Sequence, residues 1–235
     1  MADRGDVRGV LRCLTAAALA IGATLWAVAA RAEQPCEAAP VPCVFEALPF
    51  ELRVVDARTG RPLADVHALA EWPTVGPGGR SGSALMALGA VSRSEGLLTF
   101  PGWGPIQGPM TGLEIGSDPV ITLFRTGYRA LVINNGHLPA AREKERLRRF
   151  AQDGWTYALE PFRGTPEQWL QELRRVWLGR AFPGIDERAR ALRGPYLDRL
   201  RRVSAERDKV SPDQQRSGGF FWHVDRTLKS LEKGQ

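Results

Sequence analysis

Histidine is scarce in this chain, and so is cysteine: three of each occur among 235 residues. The shortage narrows the chemistry. His67, His137 and His223 stand apart, in no His-x-x-x-His or His-Glu-x-x-His arrangement, so a zinc site lacks its usual ligand spacing. A hydrolase needs a nucleophile, a base and an orienting group brought together, and no such constellation is spelled out. The Gly-rich run 76–83 lacks the Lys-Ser/Thr ending and the following helix of a phosphate loop. The chain is therefore read as a non-enzyme, with no catalytic residue, no cofactor and no metal.

Long apolar runs are also missing after the N-terminus. One stands at the start, where Arg4, Arg8 and Arg12 precede an apolar stretch from Cys13 to Ala30 that ends in Ala30-Arg31-Ala32. Small residues three and one before a cut suit a signal peptidase, so residues 1–32 read as a secretory signal cleaved after Ala32. The alternative is an uncleaved anchor in the inner membrane, since 11–30 is about long enough to span. The expected location is periplasmic or secreted, which disfavours nucleic acid as a partner.

Export changes the meaning of the cysteines. Cys13 leaves with the signal, and only Cys36 and Cys43 remain. An even pair in an oxidising compartment, bent by Pro40 and Pro42, is expected to form a local disulfide. It closes a short loop and restricts the unfolded chain by roughly 2–3 kcal/mol. Residues 33–49 read as a Pro- and Ala-rich leader carrying that pair.

What is present is alternation. Phe50, Leu52 and Val54 alternate with Glu51 and Arg53, the period of a half-buried strand. Val66, Ala68, Ala70 and Trp72 share one side of a second strand, with His67, Leu69 and Glu71 on the other. Further strands are expected at 84–91, 97–100, 113–115, 120–124 and 128–134. Eleven of the 25 glycines fall between Gly76 and Gly116, so 73–83 and 101–112 read as loops. The expected fold is mainly β, an antiparallel Ig-like sandwich over 50–138.

Helical periodicity takes over at Pro139. A charged helix is expected over 140–152, then an extended return to the sandwich over 156–162. Thr165, Pro166 and Gln168 form a capping box, followed by an apolar stripe at Trp169, Leu170, Leu173, Val176 and Trp177. Gly194-Pro195 separates a helix at 186–193 from another at 196–207, and Phe221, Val224, Leu228 and Leu231 mark a last one. Charge follows the same division. Residues 33–139 hold 7 Lys and Arg against 10 Asp and Glu, and 140–235 hold 21 against 14. A mildly acidic sandwich carries an Arg-rich helical extension, packed on it by its aromatic stripe.

The order of turns and strands carries a resemblance. A strand ends in Asp56, then Thr59-Gly60-Arg61-Pro62-Leu63 turns the chain into a strand containing Val66. Gly96-Leu97-Leu98-Thr99-Phe100 follows, and the strand from Val120 leads to Gly127-Tyr128. This resembles the carboxypeptidase regulatory-like domain, a transthyretin-like β-sandwich, over about a third of the chain. The whole chain is similar to exported bacterial proteins in which such a domain precedes an Arg-rich helical tail. The resemblance implies an accessory, folding or binding role without catalytic residues, and some related sandwiches bind carbohydrate. A binding surface is then expected at Trp72, Arg80, Ser81, Trp103 and His137, with a glycan or another envelope protein as partner. Burial of both Trp in the sandwich is the competing expectation. The other role considered is a scaffold whose basic helices contact an anionic membrane or a protein.

Overall fold

A computed structural model describes residues 44–76, 80–107, 114–115, 119–136, 147–177 and 187–233. Residues 1–32, expected to be a signal, the Cys36 and Cys43 pair expected to form a disulfide, and His137 lie outside the described residues.

The strands are β1 (Val44–Ala47), β2 (Phe50–Asp56), β3 (His67–Gly76), β4 (Arg80–Val91), β5 (Leu97–Phe100), β6 (Trp103–Gln107), β7 (Glu114–Ile115), β8 (Val120–Phe124), β9 (Leu131–Ile133), β10 (Leu147–Arg148) and β11 (Thr156–Leu159). They form three sheets of mostly antiparallel strands. One is ordered β10-β1-β6, one β11-β2-β5, and the largest β4-β3-β8-β9 with β7 also beside β3. Helices α1 (Pro166–Val176), α2 (Glu187–Ser204) and α3 (Phe220–Lys233) follow, with short 3-10 turns at Arg207–Lys209 and Pro212–Gln215.

The three sheets share one apolar core. Phe45 from the first sheet, Phe50, Leu52, Leu98 and Phe100 from the second, and Ala68, Trp72, Leu85 and Ile121 from the third belong to it. Burial in β2 alternates residue by residue, as its sequence alternates. Fully burying a Leu or Phe contributes about 1.5–3 kcal/mol, so this layer carries much of the stability. The result is a sandwich-like β-fold.

The outer face of the β4-β3-β8-β9 sheet is covered by helices. Phe124 of β8 meets Trp169, Leu173, Leu200, Val203 and Phe221 in a second apolar cluster. Leu69 and Ala87 meet Leu192 and Tyr196 in a third. The central strand β3 is therefore buried on both faces: Val66, Ala68, Ala70 and Trp72 lie inside, and His67, Leu69 and Glu71 lie beneath α2.

Several expectations change here. The stretches read as loops are largely strands. The β3–β4 ladder continues through register shifts at Trp72, Pro73 and Val75 to Gly76 opposite Arg80. Trp103–Gln107 pairs with β1, which itself lies in the supposed leader. Irregular pairing absorbs the Gly and Pro residues, as strand bulges do. The helix expected over 140–152 is replaced within 147–152 by β10, parallel to β1, and the start of a turn. Its basic residues include Arg148, which is buried, and a solvated helix face would leave such a residue exposed. The return at 156–162 is found as β11, parallel to β2.

The helices expected at 186–193 and 196–207 are one. Helix α2 runs through Gly194 and Pro195. In a helix interior these residues cost about 1 and about 3 kcal/mol relative to Ala. Against this, Leu192, Tyr196, Leu200 and Val203 keep one phase across the break and are all buried. Pro195 packs over Gly89 of β4, where a Cβ would meet that of Pro195 at an ordinary contact distance of 3.5 Å. Tertiary burial overrides local propensity. By contrast α1 starts where its sequence says. Gln168 N donates to Thr165 Oγ1 at 3.4 Å, and Thr165 N donates to Gln168 Oε1 at 3.0 Å.

Candidate functional site

Trp72 and Trp103, expected on a binding surface, are 1% and 9% exposed. Their ring centroids stand 5.3 Å apart at 85°, inside the sandwich core. The large apolar area of the two rings explains the placement. They cannot present a stacking platform. Arg80 and Ser81 open β4, at the far end of the β3–β4 hairpin. The structure thus brings Trp72 and Trp103 together in the core, away from any ligand.

The motif residues of the resemblance form a structural latch. Asp56 ends β2 and accepts the backbone N–H groups of Arg58 and Thr59 at 2.9 and 2.8 Å. Gly60 takes φ +67°, a conformation that suits glycine. Tyr128 Oη, 72 positions away, donates to Asp56 Oδ2 at 2.9 Å. That bond above all, with the Thr59 and Arg58 donors, holds the Asp56 carboxyl below its ordinary range. Burial and the same carboxylate push the Tyr128 phenol up. The latch ties a turn to the distant start of β9.

The more unusual chemistry lies between sheet and helices. Arg199 of α2 is 0% exposed. Its Nε donates to His67 Nδ1 at 3.0 Å, and its Nη2 donates to the carbonyls of Thr122 at 2.6 Å and His67 at 3.3 Å. Tyr196, one turn earlier, donates to Glu71 Oε1 at 2.9 Å. Burial pulls the Arg199 guanidinium down to about 9, with the Glu71 charge opposing. Burial, and then the Arg199 and Arg202 cations, hold His67 neutral by lowering it to about 2. A second anchor is Glu206, 2% exposed. It accepts from Thr126 Oγ1 at 2.5 Å, Trp169 Nε1 at 3.2 Å and Lys209 Nζ at 2.8 Å. The helical layer is therefore bolted to the sheet by buried polar bonds.

Two open clefts border this layer. The larger, about 800 Å³, lies between the end of α1 and the start of α3. Trp177, Arg174, Asp213, Gln214, Phe220 and His223 are among its lining. Trp177 and Phe220 pack at 5.2 Å. The wall from 213 to 219 is tightly folded. Gly218 has φ +81°, and a Cβ on Gly219 would fall 2.6 Å from the Gln214 carbonyl oxygen. Arg174 and His223 are exposed at its rim. Aromatic faces beside an amide, a carboxylate and a guanidinium suit a polar ligand with some apolar surface. The smaller cleft, about 480 Å³, lies over His67 beside α2. Sequence reasoning missed both, because residues far apart in the chain build them. The one available signal was the Gly218-Gly219 pair before the last helix.

Among the described residues, no group of three or more His, Cys, Asp or Glu side chains could hold a metal ion. Among them, too, no helix is long and apolar enough to cross a membrane.

No family model matches the chain, and no curated protein matches it. Among solved structures, the crystal structure of 3-chlorocatechol 1,2-dioxygenase from Rhodococcus opacus 1CP is similar at 15% identity and a TM-score of 0.31, over 53% of this chain and 63% of that one. This chain thus spans less than two thirds of that protein, and a TM-score of 0.31 carries no argument about activity.

Proposed function

We propose that the protein is an exported, non-catalytic accessory or binding module of the cell envelope. Its sheets would be a transthyretin-like sandwich of the carboxypeptidase regulatory-like type, and its ligand would enter the cleft between α1 and α3. The cleft itself carries the reading: a mixed aromatic and polar lining with Arg174 and His223 exposed at the rim. The Asp56–Tyr128 latch supports the family assignment, because two separated parts of the motif meet there. The ligand class that suits such a lining is a polar, ring-bearing molecule such as a glycan.

Contact with an anionic membrane through the helices has less support. Arg201, Arg202, Arg207 and Arg216 are paired with Glu232, Asp65, Asp225 and Asp213. Each of these cations has a carboxylate beside it, which offsets part of the basic charge that a membrane would meet.

A glycan array with the mature protein tests the reading. Binding is expected, and the exposed-residue variants Arg174→Ala and His223→Ala should lose it. Signals unchanged in both variants would remove the cleft from the proposal. Turnover of a generic ester, peptide or glycoside panel by pure protein would overturn the non-catalytic assignment. Export is checked by the mass of the periplasmic protein, which should begin at Glu33.

A further inference from the structure

The smaller cleft is lined by a histidine ring that is buried as a residue and open to the cleft at one edge. Its floor is His67 of β3 and Val91 of β4. Its wall is one face of α2 and its end: Asp198, Arg201, Arg202 and Ala205. His67 is nine-tenths buried or more, yet its ring lines this cleft. An arginine Nε is always a donor, so the bond from Arg199 makes His67 Nδ1 the acceptor. The ring hydrogen must then sit on Nε2. Among the described residues the ring's one protein hydrogen bond is the one at Nδ1.

The charges around that hydrogen favour an anion. Arg199 bonds the far side of the ring, and Arg201 and Arg202 line the cleft with Asp198 as the one carboxylate of its lining. Arg202 spends one nitrogen on Asp65, at 2.9 Å, and its other N–H groups have no protein partner among the described residues. Arg201 is drawn to Glu232 and Asp198. Asp198 also limits the charge that fits, because a second negative charge would face its carboxylate. Val91, 46% exposed, and Ala205 add apolar surface.

We propose that the cleft over His67 binds a monoanionic carboxylate with a short aliphatic tail, its oxygens accepting from His67 Nε2 and the Arg202 guanidinium and its tail lying on Val91 and Ala205. This site is separate from the cleft between α1 and α3 and stands or falls without it. Charge-assisted hydrogen bonds in a partly desolvated site are the strong kind, and here the donor is held in one tautomer by a buried guanidinium.

Long-range proton–nitrogen NMR of the histidine rings, with sodium butyrate added at constant ionic strength, tests the proposal. The His67 ring should read as the neutral Nε2–H tautomer, and its signals should shift saturably with butyrate. Butyramide, which has the same tail and no charge, should leave them unmoved. Arg202→Gln should weaken butyrate binding about tenfold or more. Val91→Asp, at an exposed position, should abolish it by putting a negative charge on the floor. Absence of a saturable shift, an equal response to butyramide, or unchanged binding in both variants would overturn the proposal. An equal affinity for sulfate, a dianion at neutral pH, would overturn its restriction to monoanions.

Discussion

Strand β3 faces two different interiors. On one side Val66, Ala68, Ala70 and Trp72 join a core drawn from three sheets, built of apolar side chains. On the other, His67 and Glu71 meet Arg199 and Tyr196 of α2, with Leu69 and Leu192 between them. The first interior gains from area removed from water, which is non-directional. The second depends on donors meeting acceptors, and a buried polar group left alone there is costly, as Arg199 Nη1 already is. The apolar core should tolerate repacking, and the polar layer should tolerate almost no single change.

The largest effect is expected from Arg199→Met. It strands the acceptors of the layer and the Glu71 charge, and loses about 3–5 kcal/mol of unfolding free energy in urea titration. Replacing the set together, as Arg199→Met with Glu71→Leu and Tyr196→Phe, should recover part of that loss. A combined variant no better than the single one would break the comparison. In the sandwich core, Leu98→Ala should lose about 2–5 kcal/mol through transfer and cavity terms. Leu98→Met should restore most of it, since volume rather than pairing decides there.

His67 provides a pH test of the same contrast. Its folded value, about 2, lies below its ordinary 6.5. Between those values the unfolded chain takes a proton that the folded one refuses. Stability should therefore be complete above about 6.5 and fall on acidification, with a slope near 1.4 kcal/mol per pH unit from this group. His67→Gln should flatten that slope in denaturation curves recorded from pH 7 to 4. An unchanged slope would show that the ring is not held neutral.

The smallest effect belongs to the Asp56–Tyr128 latch. Tyr128→Phe removes the bond that lowers Asp56. A lowered carboxyl contributes stability above its ordinary value and loses it as pH falls through the folded one. The melting temperature of Tyr128→Phe should be slightly below that of the parent at neutral pH, and the gap should close in acid. A gap that persists in acid would show that the ring, and not the carboxylate bond, is what matters.

These contrasts follow what could be read in the chain. The alternation in β2 and the capping box at Thr165 are local, and the structure bears them out. The burial of both Trp was foreseen as the competing expectation, because ring area is a property of the residue itself. The strand at Trp103–Gln107 was not foreseen, since its partner β1 lies in a stretch whose prolines and alanines suggested a leader. Helix α2 was split in two because Gly194-Pro195 is a local stop signal. Only the packing of Leu192 and Tyr196 against β3 and β4 shows why the stop is ignored. The fate of Arg199 was equally hidden. In sequence it is one arginine among several in a basic helix.

The sequence by itself determined the alternating strands such as β2, the Asp56–Gly60 turn, the cap of α1 and the division into an acidic and a basic half. These follow from backbone preference and from periods of two and 3.6 residues, which need only near neighbours. Tertiary structure alone decided which face of β3 each helix would cover. It decided that Arg199 would be a buried bolt rather than a solvated charge, and that His67 would keep its hydrogen on Nε2 facing an open cleft. Those outcomes depend on contacts more than a hundred residues apart, where desolvation and the geometry of a few hydrogen bonds outweigh local propensity.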